Sequence, residues 1–271
     1  MKYKMICSDL DDTLIGRKQQ YGKGEKDAIK RYVEAGGKFV IVTGRMTAGA
    51  LPVCRELDLH GEVLTYQGAV MTDIDSEKTL EAVTIPCDSA TEIARYAEEK
   101  GYYIQTYIGN DFYTQKATDY SHLYVKVAHA TYKETGVPLS EYIEKNRVSP
   151  PKFVLLGDPK VTFEIRDDMI SRFGKEFLIN ISKPFIVEII PHGISKGSAV
   201  ARLAEKHGIK REEVICVGDS DNDIPMLEYG GLSVCVKGGS EGAKKASDVI
   251  APDCDDDPIT WLIDNYGFIE R

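Results

Sequence analysis

The sequence predicts an α/β protein: a Rossmann-like, doubly wound, mostly parallel sheet core carrying an inserted α+β domain. Three observations predict it. Short apolar runs alternate with amphipathic segments at the start of the chain, the same alternation returns at its end, and the pattern between the two differs. With 271 residues, 42% apolar and 28% charged, the chain can bury a core as one large domain or two smaller ones.

Residues 3–7 read as the first buried strand. A helical pattern runs from 25 to 35 and stops at Gly36-Gly37, where glycine tolerates the left-handed residue that ends a helix. Residues 38–42 form the second strand, a helix follows over about 47–58 with Pro52 in an early turn, and 62–65 is the third strand. Such alternation implies parallel pairing with helices on both faces. The late segment repeats it, with a helix over 197–207, a strand at 213–217, a short helix near 223–229 and a strand at 232–236.

Between these halves the spacing predicts a helix near 89–101, alternating strands at 102–107 and 112–115, and further strands at 152–157 and 185–189. The expected organisation is core 1–84, inserted α+β domain 85–189 and core 190–271. Ser149-Pro150-Pro151 marks a break inside the insert. The tyrosines of 102–107, at alternating spacing, read as sheet packing.

A net charge of −9 argues against a nucleic-acid partner, which requires a basic surface, but is compatible with a small anionic substrate held by local cations. Six cysteines without a Cys-x-x-Cys pair point to reduced thiols, and Cys7, Cys216 and Cys235 fall in apolar runs as small hydrophobes. The start of the chain lacks the apolar stretch of a secretory signal, and no run reaches the roughly 18 apolar residues of a membrane helix. The expected location is the cytoplasm, with no membrane partner.

Chemistry concentrates where strands end. Ser8-Asp9-Leu10-Asp11-Asp12-Thr13-Leu14 follows the first strand, and ligands of open α/β sheets bind beyond the carboxyl ends of strands. Alone, this motif also fits a solvated acidic turn. A second cluster, Asp219-Ser220-Asp221-Asn222-Asp223, follows another strand, and two such clusters make a divalent cation site, best suited to Mg2+ with its oxygen ligands and retained waters. Thr43 and Gly44 precede a helix whose N–H groups can hold phosphate oxygens, and Lys196 precedes another as a compact cation.

In this order the four elements resemble the haloacid dehalogenase superfamily, and the long insert resembles the cap of its Cof-type phosphatases. The resemblance implies a hydrolase of small phosphomonoesters such as sugar phosphates, acting through an aspartyl-phosphate. It implies that Asp9 is the nucleophile and Asp11 the proton donor and acceptor. Thr43, Gly44, Lys196 and Asn222 hold the phosphoryl group by the same implication; Asp9, Asp219 and the backbone carbonyl of Asp11 bind Mg2+, while Asp223 orients the metal shell or Lys196. Two positions depart from the family pattern: Asp12 stands where many relatives have glycine, and Gln67, in Tyr66-Gln67-Gly68-Ala69, where they commonly have asparagine. A phosphomutase of the same superfamily is the alternative. A phosphoaspartate signalling module is disfavoured by the insert and by the paired Asp9 and Asp11.

Overall fold

A computed structural model describes residues 1–109, 111–128 and 131–270. The chain divides into two compact units, Met1–Glu81 with Ser195–Arg271, and Ala82–Ile194. The first begins with β1 (Met5–Ser8), α1 (Glu25–Glu34), β2 (Lys38–Ile41), α2 (Thr47–Glu56), β3 (Glu62–Thr65), β4 (Val70–Asp73) and β5 (Thr79–Ala82). The second contains α3 (Cys87–Glu99), β6 (Tyr103–Ile108), β7 (Asp111–Thr114), α4 (Asp119–Ala128), β8 (Tyr132–Glu134), α5 (Leu139–Asn146), β9 (Phe153–Leu156), α6 (Thr162–Phe173), β10 (Phe177–Lys183) and β11 (Ile186–Pro191). The chain then returns to the first unit with α7 (Lys196–Lys206), β12 (Val214–Gly218), α8 (Ile224–Tyr229), β13 (Leu232–Val236), α9 (Glu241–Lys245), β14 (Val249–Ala251) and α10 (Pro258–Leu262).

The core sheet has the order β14-β13-β12-β1-β2 with parallel pairing throughout. Both faces are covered, so β1 and β12 are buried along their whole length, as parallel strands require. Alternation divides their side chains between two clusters. Met5, Cys7, Val214 and Cys216 pack with Ala199, Val200, Leu203 and Ala204 of α7. Ile6, Ile215 and Val217 pack on the other face with Ala28, Ile29 and Tyr32 of α1 and Ile259 of α10. The cysteines in these strands act as small hydrophobes, and all six cysteines are free and buried.

One expected strand takes a different place. β3 pairs antiparallel with β4 in a small three-stranded sheet and meets the end of β2 through the parallel bridge Val42↔Leu64. The hairpin partner β4 begins just after a tight turn at 66–68, which the periodicity of β3 alone does not announce.

The second unit is a six-stranded sheet, β10-β11-β9-β6-β7-β8, antiparallel except where β7 meets β8. One face packs Phe153, Leu155, Val187 and Ile189 against residues of α3, α5 and α6. The tyrosines of β6 serve packing: Tyr107 is buried against Tyr124, and Tyr103 lies beside Tyr120. Among the described residues no helix is long and apolar enough to cross a membrane.

Candidate active site

Register brings three strand ends together. Ser8 faces Val217 on one side and Ile41 on the other, so Asp9, Asp219 and Thr43 emerge from one edge of the sheet, at its carboxyl end. Backbone bonds continue past the strands: Asp9 N–H donates to the Val217 carbonyl at 2.9 Å, and Val42 N–H to the Ser8 carbonyl at 2.8 Å.

Lys196 reaches this edge from the first turn of α7. Ser195 caps that helix, its side chain accepting from Ser198 N–H at 3.1 Å while the Ser198 hydroxyl accepts from Ser195 N–H at 3.0 Å. Gly197 allows α7 to lie against α8; a Cβ there would stand 2.1 Å from the Pro225 carbonyl oxygen. The buried Lys196 Nζ then lies 2.5 Å from Asp9 Oδ1 and 2.5 Å from Asp223 Oδ1.

Asp223 is also fully buried, and its second oxygen accepts from Asp219 N–H at 3.0 Å and Ser220 N–H at 2.9 Å. Its carboxylate therefore holds Lys196 with one oxygen and the Asp219-Ser220 turn with the other. Thr13 donates to Asp219 Oδ1 at 3.1 Å.

The carboxylates of Asp9, Asp219 and Asp223 offer ligand oxygens that lie within 4.8 Å of one another. Burial raises the Asp9 carboxyl well above the usual carboxylate range; Lys196 pulls the other way, while Asp223 and Asp219 add to the rise. Burial likewise pushes Asp219 up to about 6, with Asp223 adding to it. Burial opposes the Lys196 charge too, but Asp223 and Asp9 outweigh it and hold the ammonium above its ordinary value. Three carboxylates around one ammonium leave negative charge that a divalent cation could neutralise, and an all-oxygen donor set suits a hard cation. Asp223 already accepts from Lys196, Asp219 N–H and Ser220 N–H, so Asp9 and Asp219 are the less committed carboxylates of the three.

Asp11 lies apart from this cluster. Its carboxylate is gripped by Arg45, through Nε at 2.8 Å and through the terminal nitrogen as an ion pair. Arg45 also donates to Gln19 at 3.2 Å. The adjacent Asp12 has φ of 58°, a left-handed position that suits the glycine of many relatives and that aspartate tolerates better than most residues.

Thr43 is buried beside this pair, and its hydroxyl accepts from the Arg45 N–H at 3.1 Å, a local turn bond. Gly44 faces Gln67, whose amide nitrogen would stand 2.6 Å from a Cβ on Gly44. Asn222 is exposed and donates to Gln67 Oε1 at 3.1 Å. Sequence reasoning left Arg45 and Thr13 without roles. The signal for Arg45 was its place directly after Thr43-Gly44; for Thr13, its place inside the first acidic motif.

The haloacid dehalogenase-like hydrolase family matches residues 6–263. The chain belongs to this family. Among haloacid dehalogenase-like hydrolases, a Bacteroides thetaiotaomicron member of known crystal structure shares 27% identity and a TM-score of 0.88, covering 97% of this chain and 99% of its own. The Bacillus subtilis protein YxeH, named as a phosphatase without a substrate, is 29% identical over 237 residues, 86% of this chain and 87% of its own. An Escherichia coli protein named pyridoxal phosphate phosphatase YbhA is 25% identical over 281 residues, covering 97% of this chain and 98% of its own.

Proposed function

We propose that this haloacid dehalogenase-like hydrolase is a Mg2+-dependent phosphatase of small phosphorylated metabolites, with Asp9 as nucleophile. The observation that carries the reading is the buried placement of Asp9, 2.5 Å from Lys196 and grouped with Asp219 and Asp223 at the carboxyl edge of the sheet. A carboxylate is a weak nucleophile and needs such support.

In this reading Asp9 attacks phosphorus, a bond forms between its carboxylate oxygen and phosphorus, and the bond to the leaving oxygen breaks. Asp11 delivers a proton to that oxygen, then removes one from the water that hydrolyses the aspartyl-phosphate and releases Asp9. Lys196 keeps one oxygen of Asp9 fixed and offsets charge on the phosphoryl group. Thr43, Gly44 and Asn222 hold phosphoryl oxygens. Asp9, Asp219 and the Asp11 carbonyl would hold Mg2+, which would supply charge neutralisation for the phosphoryl oxygens.

Asp11 must leave its Arg45 pair to reach the leaving oxygen as an acid. We assign the second unit the part of a cap that excludes water and discriminates leaving groups. Small phosphomonoesters, sugar phosphates among them, are the proposed substrates; the names of the relatives YxeH and YbhA support the class. The six free thiols support a reducing compartment, the cytoplasm.

A panel of phosphomonoesters, assayed for free phosphate with and without Mg2+, tests the reading. Mg2+-dependent phosphate release supports it. Full activity after thorough metal depletion contradicts the metal assignment, and transfer of phosphate to a sugar without release favours the phosphomutase.

A further inference from the structure

We infer that Gln67 is a positioning residue of the phosphoryl pocket, fixing Asn222 and occupying the space over Gly44. The inference rests on the phosphatase reading and deepens it.

The backbone gives the first observation. Tyr66, Gln67 and Gly68 have φ of 53°, 60° and 91°, three successive residues in the left-handed region. The first two are not glycine, and their Cβ atoms disfavour it. The turn is held from two sides. Tyr66 N–H donates to the Arg45 carbonyl at 2.9 Å and Gln67 N–H to the Thr43 carbonyl at 3.1 Å. Gly68 lies so near the start of α7 that a Cβ would stand 2.7 Å from the Ser195 carbonyl oxygen, and its own carbonyl accepts from Arg202 at 2.9 Å. The strained turn thus touches the segment that carries Thr43 and the one that carries Lys196.

The side chain reaches a third segment. Ser220 Oγ donates to Asn222 Oδ1 at 2.5 Å, and Asn222 Nδ2 donates to Gln67 Oε1 at 3.1 Å. This directional chain orients both amides and turns the nitrogen end of Gln67 toward Gly44, into space that a Cβ on Gly44 would otherwise enter. Asn222 is exposed, so its rotamer depends on such a partner. Backbone strain persists where surrounding structure over-determines it; here it sets one amide between the Thr43-Gly44 segment and the Asn222 turn.

The test compares Gln67→Met, Gln67→Gly, Asn222→Ala and the double variant of Gln67→Met with Asn222→Ala. The readouts are calorimetric binding of inorganic phosphate with Mg2+ present, KM and kcat on the phosphomonoester that the panel identifies, and Tm. We expect Gln67→Met to weaken phosphate binding and raise KM together by about five- to tenfold, the scale of one net hydrogen bond. Its kcat should stay within about twofold, because a contact shared by ground and transition states acts on binding. Gln67→Gly, which suits the backbone, should lose the same affinity without a lower Tm. The double variant should bind no worse than Asn222→Ala alone, since both act through one contact.

Wild-type affinity in Gln67→Met, losses that multiply in the double variant, or losses that track Tm would each overturn the inference while leaving the phosphatase reading intact. A wild-type protein that neither binds phosphate nor hydrolyses any ester would overturn both.

Discussion

Replacing Lys196 with methionine keeps a long unbranched side chain and deletes the one ammonium among Asp9, Asp219 and Asp223. Lys196 is about as buried as Asp223, with side-chain exposures of 1% and 0%, and Asp9 is close behind at 7%, so solvent screens the loss little. Breaking a buried ion pair from one side costs about 3–5 kcal/mol, because the surviving charge stays desolvated. Against total stabilities of about 5–15 kcal/mol this is a large fraction. Urea unfolding at neutral pH with a chelator present should show that loss as a lower midpoint with an unchanged slope. Added Mg2+ should restore part of it, a ligand at a hundredfold its Kd contributing about 2.7 kcal/mol. Hydrolysis should fall by roughly two to three orders of magnitude, the scale of losing one preorganised charge-stabilising group. A variant within about 1 kcal/mol of wild type in chelator would refute the argument that Lys196 balances the cluster, since a buried, paired ammonium cannot be that weakly coupled.

Three further expectations follow from other parts of the first unit. Glu25 is fully buried at the start of α1, its Oε2 has no partner among the described residues, and burial pushes its carboxyl up to about 8 from 4.5. The unfolded chain ionises first, so stability should fall as pH rises from about 4.5 to about 8, by a few kcal/mol in order of magnitude; Glu25→Gln should flatten that slope in pH-dependent unfolding, and an unchanged slope would exclude Glu25 as its source. Gly197→Ala forces a Cβ onto the Pro225 carbonyl, so α7 must shift; thermal unfolding should show a loss of about 1–3 kcal/mol, with Lys196 displaced and turnover reduced, whereas wild-type stability and turnover would contradict the tight packing of α7 on α8. Asp11→Asn should spare the first chemical step for an aryl phosphate, whose leaving group needs little protonation, and slow it for a sugar phosphate. Rapid mixing should then show a nitrophenol burst followed by slow turnover, and equal losses for both substrates would remove the acid/base role of Asp11.

The core was legible because its strands are short, apolar and punctuated by their own chemistry. β13 begins and ends where the sequence pattern places it, and Asp9 and Asp219 directly follow runs that bury every residue. The second unit was less legible. β10 was missed because its last four residues, Asn180-Ile181-Ser182-Lys183, are mostly polar and exposed to differing degrees, and because pairing with β11 rather than its own pattern defines it. The three residues of β8 offer too short a pattern to read, and their pairing with β7 brings together residues about twenty apart. At the site, residue types announced the acidic cluster, but pairings across long separations did not announce themselves. Asp11 and Arg45 are 34 residues apart and Asn222 and Gln67 are 155 apart, distances at which only the folded sheet decides which side chains meet.

Whether Asp9 is the nucleophile that takes up the phosphoryl group is read directly by mixing the Asp11→Asn variant with an aryl phosphate and Mg2+, quenching in acid and mapping the digest by mass spectrometry. We expect one added phosphoryl group on the peptide containing Asp9, absent when Asp9→Asn is combined with the same background. A phosphoryl group carried by another residue, or substrate hydrolysis by the Asp9→Asn single variant at the wild-type rate, would contradict it.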